Sequence, residues 1–189
     1  MPARVDRLTA RLDGPAREEM PLALVTSYSK YLHDPTVDGA INSLAEAIAL
    51  ESRLAAIRES VAGAPLAPGK WSRKEILGHL IDSAGNNLQR FVRAQIPAHL
   101  TKGELRLAGY SQDDWVRVQG YSARPWEELV CLWTELNRHL FQVLKHLDRS
   151  RLATPCVIGE RAPMSLEAIV VDYVGHLKHH LAQILEAAV

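Results

Sequence analysis

Apolar side chains recur at intervals of three and four residues along most of this chain, the spacing of one face of an α-helix. Four long segments carry the pattern, and we predict helices over residues 38–61, 73–96, 125–147 and 165–187. No convincing hairpin signal separates them. Four helices of roughly 20 residues with no strands between them predict an all-α fold, a four-helix bundle with long inter-helix loops.

Local residue choices indicate where the helices begin. Ser72-Arg73-Lys74-Glu75 has the pattern of a capping box, in which the Ser and Glu side chains satisfy each other's backbone amides. Pro125 suits the first position of the third helix, where its missing N–H costs nothing. Within the long connection 98–123, Ser111 is placed to cap a short helical turn over residues 111–115.

The first 40 residues differ from the rest, and we predict an N-terminal extension over 1–40 followed by the bundle domain over 41–189. Two apolar stretches, 8–12 and 22–25, could be short helices broken by Gly14-Pro15 and Pro21. We expect this extension to pack on the bundle or on a partner subunit.

Composition narrows the choice of partners. Lys+Arg and Asp+Glu balance at 22 each, which argues against nucleic acid or an anionic membrane as a partner. No apolar run approaches the roughly 20 residues needed to cross a bilayer.

Cys131 and Cys156 form no CxxC pair. Cys131 falls in the apolar run of the third helix, where we predict an inert, buried thiol. A reduced, cytoplasmic protein is expected.

Histidines supply the candidate chemistry. Three of the eight histidines lie within five residues, at 176, 179 and 180. On a helix, His176 and His180 leave the same face one turn apart, at the border of the apolar side, whereas His179 lies on the wetter flank. A third ligand for a metal ion could come from His79 on the second helix, which begins a polar stripe that also contains Ser83, Asn86 and Arg90.

Neutral imidazoles suit zinc, nickel, copper and iron, and three of them leave room for water or substrate. Asp82 or Asp172 could then accept a hydrogen bond from a ligand ring and fix its tautomer. The competing interpretation is ordinary, since surface helices often carry a histidine pair and a polar stripe. The sequence contains no HExxH, no ExxH, no glycine-rich phosphate loop and no GxSxG, so the familiar zincin, di-iron, nucleotide-binding and serine-hydrolase sites are not indicated.

Three segments, 68–83, 110–115 and 172–181, resemble the second helix, the central loop and the last helix of the DinB/YfiT-like superfamily. The resemblance covers about residues 42–189. It implies a four-helix bundle that binds a divalent metal ion through three histidines, which fall here on His79, His176 and His180. We expect that ion to be zinc or nickel. It also implies a homodimer. Ala84 stands where some relatives have a further histidine, and residues 1–40 have no counterpart.

The resemblance implies several activities. Some members are metal-dependent transferases that use a low-molecular-weight thiol of the bacillithiol or mycothiol type, and our leading hypothesis is such a transferase, which activates the thiol for attack on an electrophilic substrate. Arg90 could bind an acidic group of the thiol, although a solvated charge on a helix is the simpler interpretation. The alternatives are a metal-dependent hydrolase that uses a metal-bound water and a non-catalytic stress-response module that only binds metal.

Overall fold

A ring of four helices forms the frame of the computed structural model, which describes residues 28–186. Helices are numbered in chain order, and the four long ones are α1 (Val37–Ile48), α4 (Arg73–Arg93), α6 (Trp126–Lys145) and α7 (Leu166–Glu186). Around the ring the order is α1, α7, α4 and α6, and each helix packs against its two neighbours. The predicted four-helix bundle is confirmed.

The bundle encloses one apolar core. Its largest fully buried side chains come from all four long helices and include Leu44, Leu77, Phe91, Trp133, Leu140 and Tyr173. The Phe91 and Tyr173 rings meet edge to face with their centroids 5.7 Å apart, a favoured aromatic geometry. The Tyr173 hydroxyl donates a hydrogen bond to the Asn137 side chain, so the polar end of this aromatic residue is satisfied inside the core.

The helix starts follow the predicted signals with one shift. Ser72 and Glu75 form the capping box in front of α4. Helix α6 begins at Trp126, so the prediction that Pro125 is its first helical residue is wrong by one position. Pro125 is instead the residue before the helix. The Trp126 N–H, which has no partner within the helix, donates to Glu59 Oε2 at 2.8 Å.

The first predicted helix is not continuous. The chain forms α1 and then two short helices, α2 (Glu51–Ala55) and α3 (Glu59–Gly63). Arg58, the residue before α3, has an extended backbone (ψ 145°) that redirects the chain between α2 and α3. The bends allow α2 to pack against α6 and α3 to pack against α4, and they bury Leu54 and Ala62. Tertiary packing therefore overrides the helical periodicity of this segment.

Contrary to the expectation of no strands, the chain segments that connect the long helices form a small sheet. It contains β1 (Leu105–Leu107), β2 (Pro155–Ile158) and β3 (Met164–Ser165). Strand β1 is parallel to β2, and β2 is antiparallel to β3. These strands are too short to show an alternating pattern, and β1 pairs with a segment about 50 residues further along the chain, so no local signal announces them.

The prediction that Cys131 is buried in α6 is wrong. Cys131 is exposed, and the neighbouring Leu132 keeps 38% of its surface exposed. The core face of α6 is formed by Leu129, Trp133 and Leu140. Apolar residues occur around most of this helix, so periodicity alone did not identify the face that is buried.

The central connection contains α5 (Gln112–Gln119), which extends the predicted short turn by one helical turn and has Ser111 as its N-cap. The predicted short helices at 8–12 and 22–25 lie outside the described residues. Tyr28 packs directly on α7, because a Cβ atom at Gly175 would lie 2.3 Å from the Tyr28 carbonyl oxygen. Over residues 28–186, no helix is both long and apolar enough to span a membrane.

Two glycines on α4 provide a test of this packing. A Cβ atom at Gly78 would lie 2.1 Å from the Tyr121 ring, whereas one at Gly85 meets nothing within 4 Å. We expect Gly78→Ala to lower the free energy of unfolding by about 1–3 kcal/mol through overpacking. Gly85→Ala, the matched control, should raise it by about 0.5–1 kcal/mol through helix propensity. Urea denaturation measures both, and equal effects would contradict the packing of Tyr121 on α4.

Candidate metal centre

The alignment of α4 with α7 brings the histidines together. The two helices are antiparallel, since the Arg73 side chain at the start of α4 donates to the Ile184 carbonyl near the end of α7, with Nε 3.1 Å from the oxygen. His79 lies six residues after Arg73. Counting six residues back from Ile184 gives position 178, which lies between His176 and His180. Helices of equal rise per residue therefore place His79 opposite the pair.

His79, His176 and His180 each offer one ring nitrogen to a common point, and the three nitrogens lie within 4.8 Å of one another. The Nε2 atoms of His79 and His176 are 3.0 Å apart. Two nitrogens bound to one tetrahedral zinc at about 2.0–2.1 Å would be roughly 3.3 Å apart. The donor set and the spacing of this pair therefore fit a divalent ion.

Two of the three rings pack on aromatic neighbours. His79 is only 3% exposed, and its ring packs on Trp71 with centroids 5.4 Å apart. The Tyr28 ring meets the His176 ring edge to face at 5.1 Å. Trp71, which precedes the α4 cap, thus orients a candidate ligand as well as anchoring the helix start.

Burial keeps the three imidazoles neutral. Burial and the nearby His180 lower the pKa of His79 to about 4. Burial, together with the other histidine rings, lowers the pKa of His176 to about 3, and burial also lowers the pKa of His180. A neutral imidazole has a lone pair available for a metal, so at pH 7 no proton has to be displaced from these rings.

A residue not predicted from the sequence orients one of the rings. Gln183 Oε1 lies 2.7 Å from His180 Nδ1, which leaves Nε2 of His180 for the ion. The Gln183 amide nitrogen also lies 3.2 Å from His179 Nε2. Gln183 follows His180 by three residues and His179 by four, and this helical spacing was the sequence signal that could have identified it. His179 itself stays outside the triad, as the helical positions predicted.

Asp82 does not have the predicted role of orienting a ligand. Its Oδ1 accepts hydrogen bonds from the Tyr121 hydroxyl, at 2.6 Å, and from the Gln119 amide. Within the described part of the chain His79 Nδ1 has no hydrogen-bond partner, so the Asp82 carboxylate does not hold that ring. Asp82 instead ties α4 to the last residue of α5 and to the segment that follows α5. Burial raises the pKa of its carboxyl group, an effect that these two hydrogen bonds oppose.

Two cavities meet the triad from different sides. One, of about 500 Å³, contacts His79 and His176 and is lined by the polar stripe of α4, including Arg90, and by Asp172 of α7. The other, of about 620 Å³, contacts His180 and has Leu66, Trp71 and Ile76 in its wall. Gln112 lines both. The polar stripe is therefore the wall of a cavity rather than ordinary surface, except for Asn86, which lines a separate groove.

The family model described as the DinB superfamily matches residues 44–184, which include all three histidines. The chain belongs to the DinB superfamily. The matched segment contains α4 and α6 completely, α7 except its last two residues, and the last five residues of α1.

Two similar proteins can be compared with this DinB protein. The chain is 26% identical over 140 residues to a protein of Geobacillus thermodenitrificans (strain NG80-2) named "Putative metal-dependent hydrolase", covering 72% of this chain and 75% of the relative. Its fold is similar to that of YfiT from Bacillus subtilis, described as "a probable metal-dependent hydrolase with an unusual four-helix bundle topology". That match has a TM-score of 0.59 at 17% identity and covers 92% of this chain and 91% of YfiT.

The triad predicts that the amount of bound metal depends on His176 and His180 but not on His179. We expect the protein to bind about one zinc or nickel ion per chain, and His176→Ala or His180→Ala to remove most of it, because two imidazoles form an incomplete site. His179→Ala is the matched control on the same helix and should keep the ion. Native mass spectrometry with elemental analysis measures the content. Equal metal in the wild type and in His176→Ala would refute the assignment.

Proposed function

We propose that this DinB protein is a divalent-metal-dependent hydrolase whose ion is held by His79, His176 and His180. The observation that carries the proposal is the convergence of three neutral imidazoles between two cavities. The names of the two relatives support it. A divalent ion with an open coordination position supplies Lewis acidity and activates a nucleophile near neutral pH.

The residues around the triad would prepare the site for such an ion. Because His79 is buried and packed on Trp71, its ring is held in place before the ion binds, and Gln183 does the same for His180. Imidazole ligands are neutral, so the ion would keep its full positive charge toward the open side. That charge is what favours a deprotonated nucleophile and an anionic transition state.

Thiol transfer is the second candidate, and the two cavities favour it. A hydrolase needs room for one organic substrate, whereas a transferase needs room for two. Here a polar cavity meets His79 and His176, and a partly apolar cavity meets His180. A low-molecular-weight thiol in one cavity and an electrophile in the other would both reach the triad. In this reaction the thiol sulfur replaces water as the nucleophile.

Product masses distinguish the two reactions. We expect the zinc- or nickel-loaded protein to convert members of a panel of esters, amides and alkyl or epoxide electrophiles, with and without an added low-molecular-weight thiol. Hydrolysis adds the elements of water and proceeds without the thiol, while transfer gives a product that contains the thiol. Chelation of the metal should abolish either reaction, and His176→Ala should lower the rate by roughly a hundredfold or more.

His179→Ala serves as the control, since His179 lies on the same helix but outside the triad, and it should retain most of the rate. Turnover that survives both chelation and His176→Ala would contradict a metal-dependent reaction. A metal-loaded protein that converts no electrophile with either nucleophile would favour the non-catalytic module.

A further inference from the structure

The cavity beside His79 and His176 has an ordered polar wall. Along α4, Asn87 donates to the Ser83 carbonyl at 2.9 Å and to its hydroxyl at 3.3 Å. This orients the amide so that its oxygen accepts a hydrogen bond from Arg90 Nη1 at 3.1 Å. Ser83 and Asn87 are buried, so the Arg90 guanidinium is held in one direction by residues that cannot move easily.

A second guanidinium reaches the same cavity from the small sheet. Arg161 lies in the turn between β2 and β3, and it is exposed. The turn is fixed by its backbone, because the Gly159 N–H donates to the Leu107 carbonyl at 2.8 Å and the Arg161 N–H donates to the Ile158 carbonyl at 3.3 Å. Gly159 has a φ of 62°, a conformation suited to glycine. The parallel pairing of β1 with β2 thus places a cation at the cavity mouth.

The charges of this cavity are unbalanced. Arg90 and Arg161 face a single carboxylate among the lining residues, that of Asp172. Within residues 28–186 neither arginine takes part in a salt bridge. Burial lowers the pKa of Arg90, and the nearby Arg161 lowers it further while Tyr110 and Asp172 raise it. Two guanidinium groups close enough to repel each other are stabilised by an anion between them.

We propose that Arg90 and Arg161 form an anion subsite for a carboxylate or phosphate group of the substrate, beside the metal centre. The inference rests on the proposed function in one respect, namely that the bound molecule is the substrate of the triad. The subsite itself depends only on the cavity. Arg90 would provide the fixed, partly desolvated contact, and Arg161 would close on the anion from the exposed side. The substrate would then be an acid that carries its anionic group and its reactive bond in one molecule. The anionic group would contact the arginines while the reactive bond reaches the metal centre.

Anion binding tests this directly. Glutarate and inorganic phosphate are titrated separately into the zinc-loaded, full-length protein, and heat is measured by calorimetry. We expect at least one of them to bind. Arg90→Gln and Arg161→Gln should each weaken that binding by roughly tenfold or more, the effect of losing a hydrogen bond to a charged group. A preference for glutarate indicates a carboxylate substrate, and a preference for phosphate indicates a phosphorylated one.

Arg138→Gln is the matched control. Arg138 pairs with Glu51 and Glu135 on the surface of α6, so its loss removes the same charge without touching the cavity, and anion affinity should not change. Arg161 is an exposed loop residue, so Arg161→Gln reports on the subsite even if Arg90→Gln impairs folding. Failure of the wild type to bind either anion, or equal weakening by Arg138→Gln, would overturn the proposal.

His180→Ala separates this inference from the proposed function. In that variant the anion should still bind with little loss, because the arginines remain. If His180→Ala abolishes binding while the arginine variants do not, the anion is held by the metal and the subsite does not exist. If the anion binds as expected but no substrate is turned over, the proposed function fails and the subsite stands.

Discussion

The antiparallel contact between α4 and α7 sets the positions of the three histidines. The buried hydrogen bond from Arg73 to the Ile184 carbonyl and the Phe91–Tyr173 contact hold the two helices at both ends of their shared length. Between those points, His79 can face only the stretch that contains His176 and His180. A shift of one helical turn, about 5.4 Å, would separate the three nitrogens, so core packing sets the geometry of the chemistry.

Buried polar atoms without hydrogen-bond partners are costly in a protein core. Within the described residues, His79 Nδ1 has no partner, while the Nε2 atoms of His79 and His176 lie at hydrogen-bond distance, 3.0 Å apart. A divalent ion at the common point would replace this single contact with bonds to all three rings. Aromatic rings exclude water from one side of the triad, and two cavities keep its other sides accessible.

Much of the bundle was predictable because its signals are local. The capping box at Ser72, the helical periodicity and the spacing of His176 and His180 all lie within one or two turns of chain. What could not be predicted depends on distant partners. The position of Asp82 on α4 suggested that it orients a ligand ring. The fold instead brings Tyr121 and Gln119 to it. The sheet that carries Arg161 likewise pairs segments that no local pattern relates.

X-ray absorption spectroscopy of the zinc-loaded protein would decide whether all three histidines bind one ion, because it counts and identifies the atoms bound to the ion. We expect three imidazole nitrogens at about 2.0–2.1 Å with at least one further light ligand. We also expect that His79→Ala, on a different helix from the other two ligands, changes the spectrum to fewer imidazoles. A wild-type spectrum with fewer than three imidazoles, or one unaffected by His79→Ala, would contradict the three-histidine site.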